Sequence, residues 1–289
     1  MRIIVTGSSG LLGRHVCHEM VARGHDVFGV DRVPAASVPW QQAAADLMDL
    51  GVALQLIRHC DAVVHLASLP RPLGLADAEV FRTNVALNYN VTEAAALGGV
   101  PRLIYASSVS VLGNPFGPRL IPTRYLPIDA DHPPAPQESY GLSKWLGEEI
   151  VDAAVRRGAF DAVSLRLPWV QTPQSFFAQV APRRVTEAAA LDLWAYIDAR
   201  DAASAFGQAV QWDGKGHLRV YATARDSYSE DRSADLVAKA FPHAEIRRAL
   251  NGYESVIDNA LARMSLGFVA QHSWRDYRPE KPGGQHEAI

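Results

Sequence analysis

Cysteine is scarce in this chain of 289 residues: Cys17 and Cys60 fall in different expected elements and match no metal-ligand or redox spacing. That leaves no disulfide framework to expect and makes both thiols small buried apolar groups. Lysine is scarcer still for its length, with only four. An excess of charge of one sign is also missing, since 28 basic against 31 acidic residues give a net charge of −3. Nothing therefore draws the chain as a whole to nucleic acid or to an anionic membrane. No apolar run approaches the length of a membrane span, no internal repeat or low-complexity tract stands out, and the first strand begins at Arg2, leaving no room for a signal peptide. A soluble protein of a reducing cytoplasm is the expectation.

What is present is an alternation of short apolar runs with helical patterns, which reads as βαβ units and a parallel sheet. Arg2–Thr6 is the first strand and Leu11–Arg23 a helix with Leu12, Val16 and Met20 on one face. Asp26–Asp31, Asp61–Ala67, Arg102–Ser107 and Ala162–Val170 read as further strands, and Ala78–Leu97 and Tyr140–Arg157 as helices. Later come a helix at Ala199–Gln211, a strand at Leu218–Ala224 and a helix at Glu230–Phe241. Val111–Ser139 is rich in proline and glycine and is expected to be an irregular loop; one that long inside a compact domain usually covers a site.

Between the first strand and helix stands Gly7-Ser8-Ser9-Gly10-Leu11-Leu12-Gly13. Glycines there let the backbone turn sharply and approach a pyrophosphate, and the helix N-terminus offers unpaired N–H groups to it. A bare glycine triplet is weak, but this one sits in the required strand–loop–helix setting. Asp31 ends the second strand, eighteen residues after Gly13. A carboxylate there accepts hydrogen bonds from both adenosine ribose hydroxyls and repels a 2′-phosphate, which favours NAD. Arg32 beside it keeps NADP as the alternative, because a guanidinium can receive that phosphate.

Tyr140-Gly141-Leu142-Ser143-Lys144 opens a helix and puts Tyr140 and Lys144 on one face. Tyrosine at its free pKa of about 10 is a poor base at neutral pH; an adjacent ammonium and a positive nicotinamide ring are expected to lower it. With so few lysines, only about 0.1 such spacings arise by chance. A hydroxyl partner is expected from the carboxyl end of a central strand, in Ser107-Ser108-Val109-Ser110, and spacing alone does not choose among the three serines.

In these ordered motifs, together with Asp46-Leu47, His65-Leu66-Ala67 and Asn84-Val85, the chain over roughly residues 1–275 resembles the extended short-chain dehydrogenases/reductases, the NAD-dependent epimerase/dehydratase family. The resemblance implies a Rossmann doubly wound parallel sheet with a small C-terminal substrate-binding lobe. Residues 1–167 form the NAD-binding part, 196–224 return to it, 168–195 and 225–275 make the lobe, and 276–289 are a disordered tail. It picks Ser108 as catalytic with Tyr140 as acid/base and Lys144 as ribose anchor. The cofactor set it implies is Gly7, Ser9, Gly10, Leu11, Leu12, Gly13, Asp31, Arg32, Asp46, Leu47, Leu66, Ala67, Ser68, Asn84, Ala106, Tyr140, Lys144 and Pro168. Asn84 is as readily a capping or buried amide. The resemblance also implies a homodimer through the Tyr140 helix and its neighbour.

Two departures point to a smaller, sugar-like or carbonyl substrate. Nucleotide-sugar enzymes of the family carry Arg-x-x-Asn-x-x-Gly-Pro after the next strand, where this chain has Arg166-Leu167-Pro168-Trp169-Val170-Gln171-Thr172-Pro173. From Val170 to Trp194 there are only about 25 residues, roughly half what such relatives use to wrap a nucleotide. Trp169 and Arg200 are substrate candidates, with Arg183 and Arg184 as further cations that could meet an anion. The expected chemistry is net oxidoreduction of a secondary alcohol or ketone. The alternatives are a nucleotide-sugar epimerase or dehydratase with transient hydride transfer, and a non-catalytic dinucleotide sensor.

Overall fold

β1 (Arg2–Thr6) is apolar at every central position because both faces of the strand are covered: Ile3 and Val5 join one core and Ile4 the other. In the computed structural model, which describes residues 1–277 apart from 71–73, 75 and 185, this strand is followed by α1 (Leu11–Ala22), β2 (Asp26–Asp31), β3 (Gln41–Ala44), α2 (Leu50–Ile57), β4 (Ala62–His65), α3 (Asp77–Leu97) and β5 (Arg102–Ser108). Then come β6 (Tyr125–Leu126), α4 (Ser139–Arg156), β7 (Asp161–Leu167), β8 (Trp169–Gln171), two single turns α5 (Pro173–Ser175) and α6 (Ala181–Arg183), and β9 (Tyr196–Asp198). The chain continues through α7 (Ala199–Gln211), β10 (His217–Tyr221), α8 (Ser233–Ala240), β11 (Glu245–Ile246) and α9 (Ala260–Leu266).

Seven parallel strands form the main sheet in the order β10-β7-β5-β4-β1-β2-β3. The order reverses between β1 and β4, so a crevice opens at the carboxyl ends of these two strands, where ligands bind in doubly wound sheets. α1 and α7 cover one face through Val16, Cys17, Met20, Ala202 and Phe206; α2, α3 and α4 cover the other through Ile57, Val91 and Val151. This is a Rossmann doubly wound sheet.

A further apolar cluster gathers Phe176, Val180, Trp194, Tyr228, Val237 and Val256, and it takes in Val109, Leu112, Leu126 and Ile128 as well. The C-terminal lobe is thus built partly from the stretch expected to be one irregular loop. That stretch is not wholly irregular: Val109–Leu112 makes a 3-10 turn and β6 pairs with β11. The strand expected over Ala162–Val170 breaks at Pro168, which has no N–H to give the ladder; β7 ends at Leu167, and β8 pairs with β9 in a separate two-stranded sheet. The expected tail begins later than residue 276, because Trp274–Asp276 form a 3-10 turn and the buried Tyr277 hydroxyl donates to Asp198 Oδ2 at 2.6 Å. The rest of that tail lies outside the described residues. Among the described residues no helix is long and apolar enough to cross a membrane, and no group of three or more His, Cys, Asp or Glu could hold a metal.

Candidate active site

Gly7 begins the loop at the end of β1 with φ +71°, and a Cβ on Gly13 would lie 2.0 Å from the Gly7 carbonyl oxygen. The first turn of α1 therefore presses on the loop so closely that only glycine fits. Asp31, at the end of β2, ties the loop down by accepting the Ser9 N–H at 3.1 Å, and its other oxygen accepts from Val33 N at 3.2 Å. The Ser9 hydroxyl is buried without a partner beside this loop. Such a cradle, with a carboxylate at the neighbouring strand end, fits a dinucleotide pyrophosphate and its adenosine ribose.

From the cradle a cavity of about 960 Å³ runs across the strand ends to the lobe. Gly7, Gly10, Leu11, Leu12, Gly13, Asp31, Arg32, Asp46, Leu47, Leu66, Ala67, Ser68, Ala106, Ser108, Tyr140, Lys144, Pro168 and Trp169 all line it. Ser9, Asn84, Arg184 and Arg200, also singled out in the sequence, do not. Ser9 meets Asp31 through its backbone. Asn84 is a loop holder on α3, accepting from Leu69 N at 2.8 Å and donating to Leu69 O at 3.1 Å and Ser143 Oγ at 3.2 Å. Arg200, expected near the substrate, is spent on Asp198 at 2.7 Å outside the cavity lining. Arg184 pairs with Glu230 at 2.9 Å. Arg183 does reach the cavity, with Gln179, Phe116 and Asp192, none of which the sequence reading placed there except as a bare cation. Gln179, Phe116 and Asp192 gave no signal because no motif or long periodic pattern marks the stretches that carry them.

α4 positions Tyr140 and Lys144. Glu138 caps it, accepting from Tyr140 N at 2.6 Å and Gly141 N at 2.5 Å, so the first turn that carries Tyr140 is fixed. One turn on, Lys144 Nζ donates to Ala106 O at 2.9 Å and to Ser68 Oγ at 3.3 Å, and stands 5.6 Å from the Tyr140 ring centroid. The three serines left open by spacing are now distinct. Ser107 also lines the cavity, but its hydroxyl donates to Glu148 Oε1 at 2.5 Å, and Glu148 is paired with Arg166 at 2.8 Å in the buried interior. Ser110 lines the cavity too and accepts from Ser108 Oγ at 3.0 Å, while Ser108 is the serine whose hydroxyl lowers the Tyr140 pKa.

The electrostatics differ from the expectation that Lys144 lowers the Tyr140 pKa. Burial raises the phenol well above its ordinary value, opposed by the Ser108 hydrogen bond, and burial pushes the Lys144 ammonium down to about 7. Desolvation dominates both shifts, because each group would have to leave water as an ion, and the Glu138 carboxylate adds to the rise of the phenol. A fixed positive charge in the cavity is what would reverse the balance.

Behind these residues a buried chain of hydrogen bonds ties four elements. Asn88 Oδ1 accepts from His65 Nε2 at 2.9 Å and Asn88 Nδ2 donates to Tyr105 Oη at 2.9 Å. His65 Nδ1 then accepts from Thr6 Oγ1 at 2.7 Å, and Thr6 Oγ1 accepts from Ala67 N at 3.2 Å.

Fold, cradle and phenol–amine pair together define a dinucleotide-binding enzyme. Comparison narrows that class. Residues 3–222 match the NAD dependent epimerase/dehydratase family. The chain is 30% identical over 176 residues to L-arabinose 1-dehydrogenase (NAD(P)(+)) of Haloferax volcanii, covering 59% of this chain and 68% of that protein. It is 27% identical over 227 residues to uronate dehydrogenase of Pseudomonas syringae pv. tomato, covering 76% and 73%. Its fold is similar to that of MoeE5 in complex with UDP-glucuronic acid and NAD, with TM-score 0.72, 23% identity and 96% of each chain covered. The chain belongs to the NAD-dependent epimerase/dehydratase family, the extended short-chain dehydrogenases/reductases, and is an enzyme whose cofactor is NAD.

Proposed function

We propose that this enzyme oxidises a secondary alcohol or hemiacetal carbon of a small sugar-like substrate, or runs the same reaction in reverse. The observation that carries the reading is the convergence of Ser108, Tyr140 and Lys144 on one cavity with the glycine cradle. Ser108 orients the substrate oxygen, and Tyr140 takes its proton. Lys144 holds the nicotinamide ribose and, once protonated, stabilises the phenolate. NAD supplies the hydride acceptor and a positive ring beside the phenol. Burial of all three side chains excludes water from the reacting carbon. Asp31 favours NAD over NADP by its acceptor oxygens, and residues 168–195 with 225–275 serve as the substrate lobe.

A small substrate is supported by volume. A cavity of about 960 Å³ has to hold dinucleotide and substrate together, whereas single-ligand clefts already span roughly 300–1,000 Å³. The similar dehydrogenases act, by their names, on L-arabinose and on uronates, which is the size range this reading requires. The second reading, a nucleotide-sugar epimerase, is favoured by the fold shared with MoeE5 bound to UDP-glucuronic acid. We also infer a homodimer through α3 and α4, where Tyr89 and Leu142 are exposed.

Incubating the enzyme with NAD and a panel of free sugars tests the assignment by NADH absorbance. Accumulation of NADH is expected, with Tyr140→Phe lowering kcat by about 10²–10⁴-fold while NAD still binds. A cofactor that copurifies and never accumulates as NADH, with nucleotide sugars interconverted, would replace this reading by the epimerase.

A further inference from the structure

The lobe end of the cavity holds a paired charge. Arg183 and Asp192 both line it, Arg183 Nε meeting Asp192 Oδ2 directly and Nη2 lying 3.3 Å from Oδ1. Asp192 Oδ2 also accepts from the fully buried Tyr228 hydroxyl at 3.0 Å, and Arg183 Nη2 donates to Ala188 O at 3.1 Å. The lobe therefore braces each member of the pair, with side-chain exposures of 33% for Arg183 and 15% for Asp192. Among the described lining residues the other charged groups are Asp31, Arg32 and Asp46 near the glycine cradle and Lys144 at the reacting centre.

We propose that this pair selects an uncharged sugar, whose hydroxyls bridge Arg183 and Asp192, over sugars carrying a carboxylate or phosphate. The proposal rests on the hydride-transfer reading above and names its substrate class. An arginine free of a partner would welcome an anion with a two-pronged hydrogen bond. Here Asp192 already occupies that fork, so an incoming anion meets attraction and repulsion of similar size at similar distance, and still has to give up its water. A hydroxyl is both donor and acceptor. It can donate to Asp192 and accept from Arg183 at once, which no carboxylate can do. The reaction balances for such a substrate: the carbinol C–H leaves as hydride to NAD+, the O–H proton goes to Tyr140, and a carbonyl and NADH result.

The test compares matched pairs that differ only at one position: glucose and glucuronate, galactose and galacturonate, mannose and mannuronate. For each, kcat/KM is read from NADH absorbance, and binding to the NAD-loaded enzyme from tryptophan fluorescence. The neutral member of the best pair should be favoured by about tenfold or more. Asp192→Asn, which frees the Arg183 charge, should shift the ratio toward the uronate by about tenfold. A wild-type preference for the uronate overturns the proposal. So does an unchanged ratio in a folded Asp192→Asn enzyme, or failure of every neutral sugar to bind. The wild-type ratios decide the matter if the variant does not fold. Should no sugar yield NADH, the hydride-transfer reading fails by itself, and the binding ratios still judge the charge preference.

Discussion

Lys144 is an amine placed where an ammonium is costly. It is buried at the root of α4, donates to one carbonyl and one hydroxyl, and has its pKa lowered by desolvation to about 7. Between about pH 7 and 10.5 the unfolded chain carries this proton and the folded chain does not, so Lys144 makes stability rise with pH through that window. Below about 7 both states are protonated and the whole cost of the buried charge stands, with a ceiling of about 5 kcal/mol. Cys17 and Cys60, raised by burial to about 12 and about 11, act in the opposite sense in the alkaline part of the window, but they are common to wild type and variant. Lys144→Met should therefore be more stable than wild type at pH 7, with the gap closing toward pH 10, and should lose most activity. Thermal melts across that range check it, and a gap that does not vary with pH would mean that Lys144 does not titrate there.

At the scale of elements, the chain Ala67–Thr6–His65–Asn88–Tyr105 joins β1, β4, α3 and β5 under the cofactor crevice. Burial and the neighbouring Lys144 push the His65 imidazole down to about 3, so it stays neutral, with one nitrogen donating and the other accepting. Asn88→Ala would orphan the His65 donor and take the donated N–H from the Tyr105 hydroxyl. A loss of about 2 kcal/mol or more is expected by urea denaturation; a loss below about 0.5 kcal/mol would mean that water replaces the amide. None of this network is legible in the sequence, where Asn88 is one polar residue in a helical pattern. The elements that could be read there are those with a period or a punctuation mark: β1, α1 and β2 around the glycine loop, and α4 around Tyr140 and Lys144. β3 and α2 escaped because Gln41 and Gln42 give the edge strand no apolar pattern and α2 is a short helix. The break at Pro168 was in plain sight as a residue, but its meaning depends on the partner strand it forsakes. Arg183 and Arg200 looked alike in sequence, and only the acids folded beside them, Asp192 and Asp198, tell which one reaches the cavity.

For the whole molecule, the cavity joins two apolar cores with different tasks. The sheet and its helices supply everything from the glycine cradle to Lys144, and the lobe core carries Trp169, Arg183 and Asp192. NAD should therefore act as a ligand of the sheet, stabilising the folded chain by mass action. At 100 times its dissociation constant that is about 2.7 kcal/mol, worth roughly 5 °C in Tm for a chain of this size. Asp31, which accepts from the Ser9 amide and lines the cavity, is the residue we propose decides which dinucleotide gains most. Asp31→Ala removes the acceptors expected for the adenosine ribose and leaves Arg32 beside a 2′-phosphate. In wild type the shift from NAD should exceed that from NADP at equal concentration. In Asp31→Ala the NAD shift should shrink by most of its size, and the NADP shift should equal or pass it. If both shifts survive the substitution unchanged, Asp31 serves only to brace the glycine loop, and the dinucleotide preference has to come from groups deeper in the crevice.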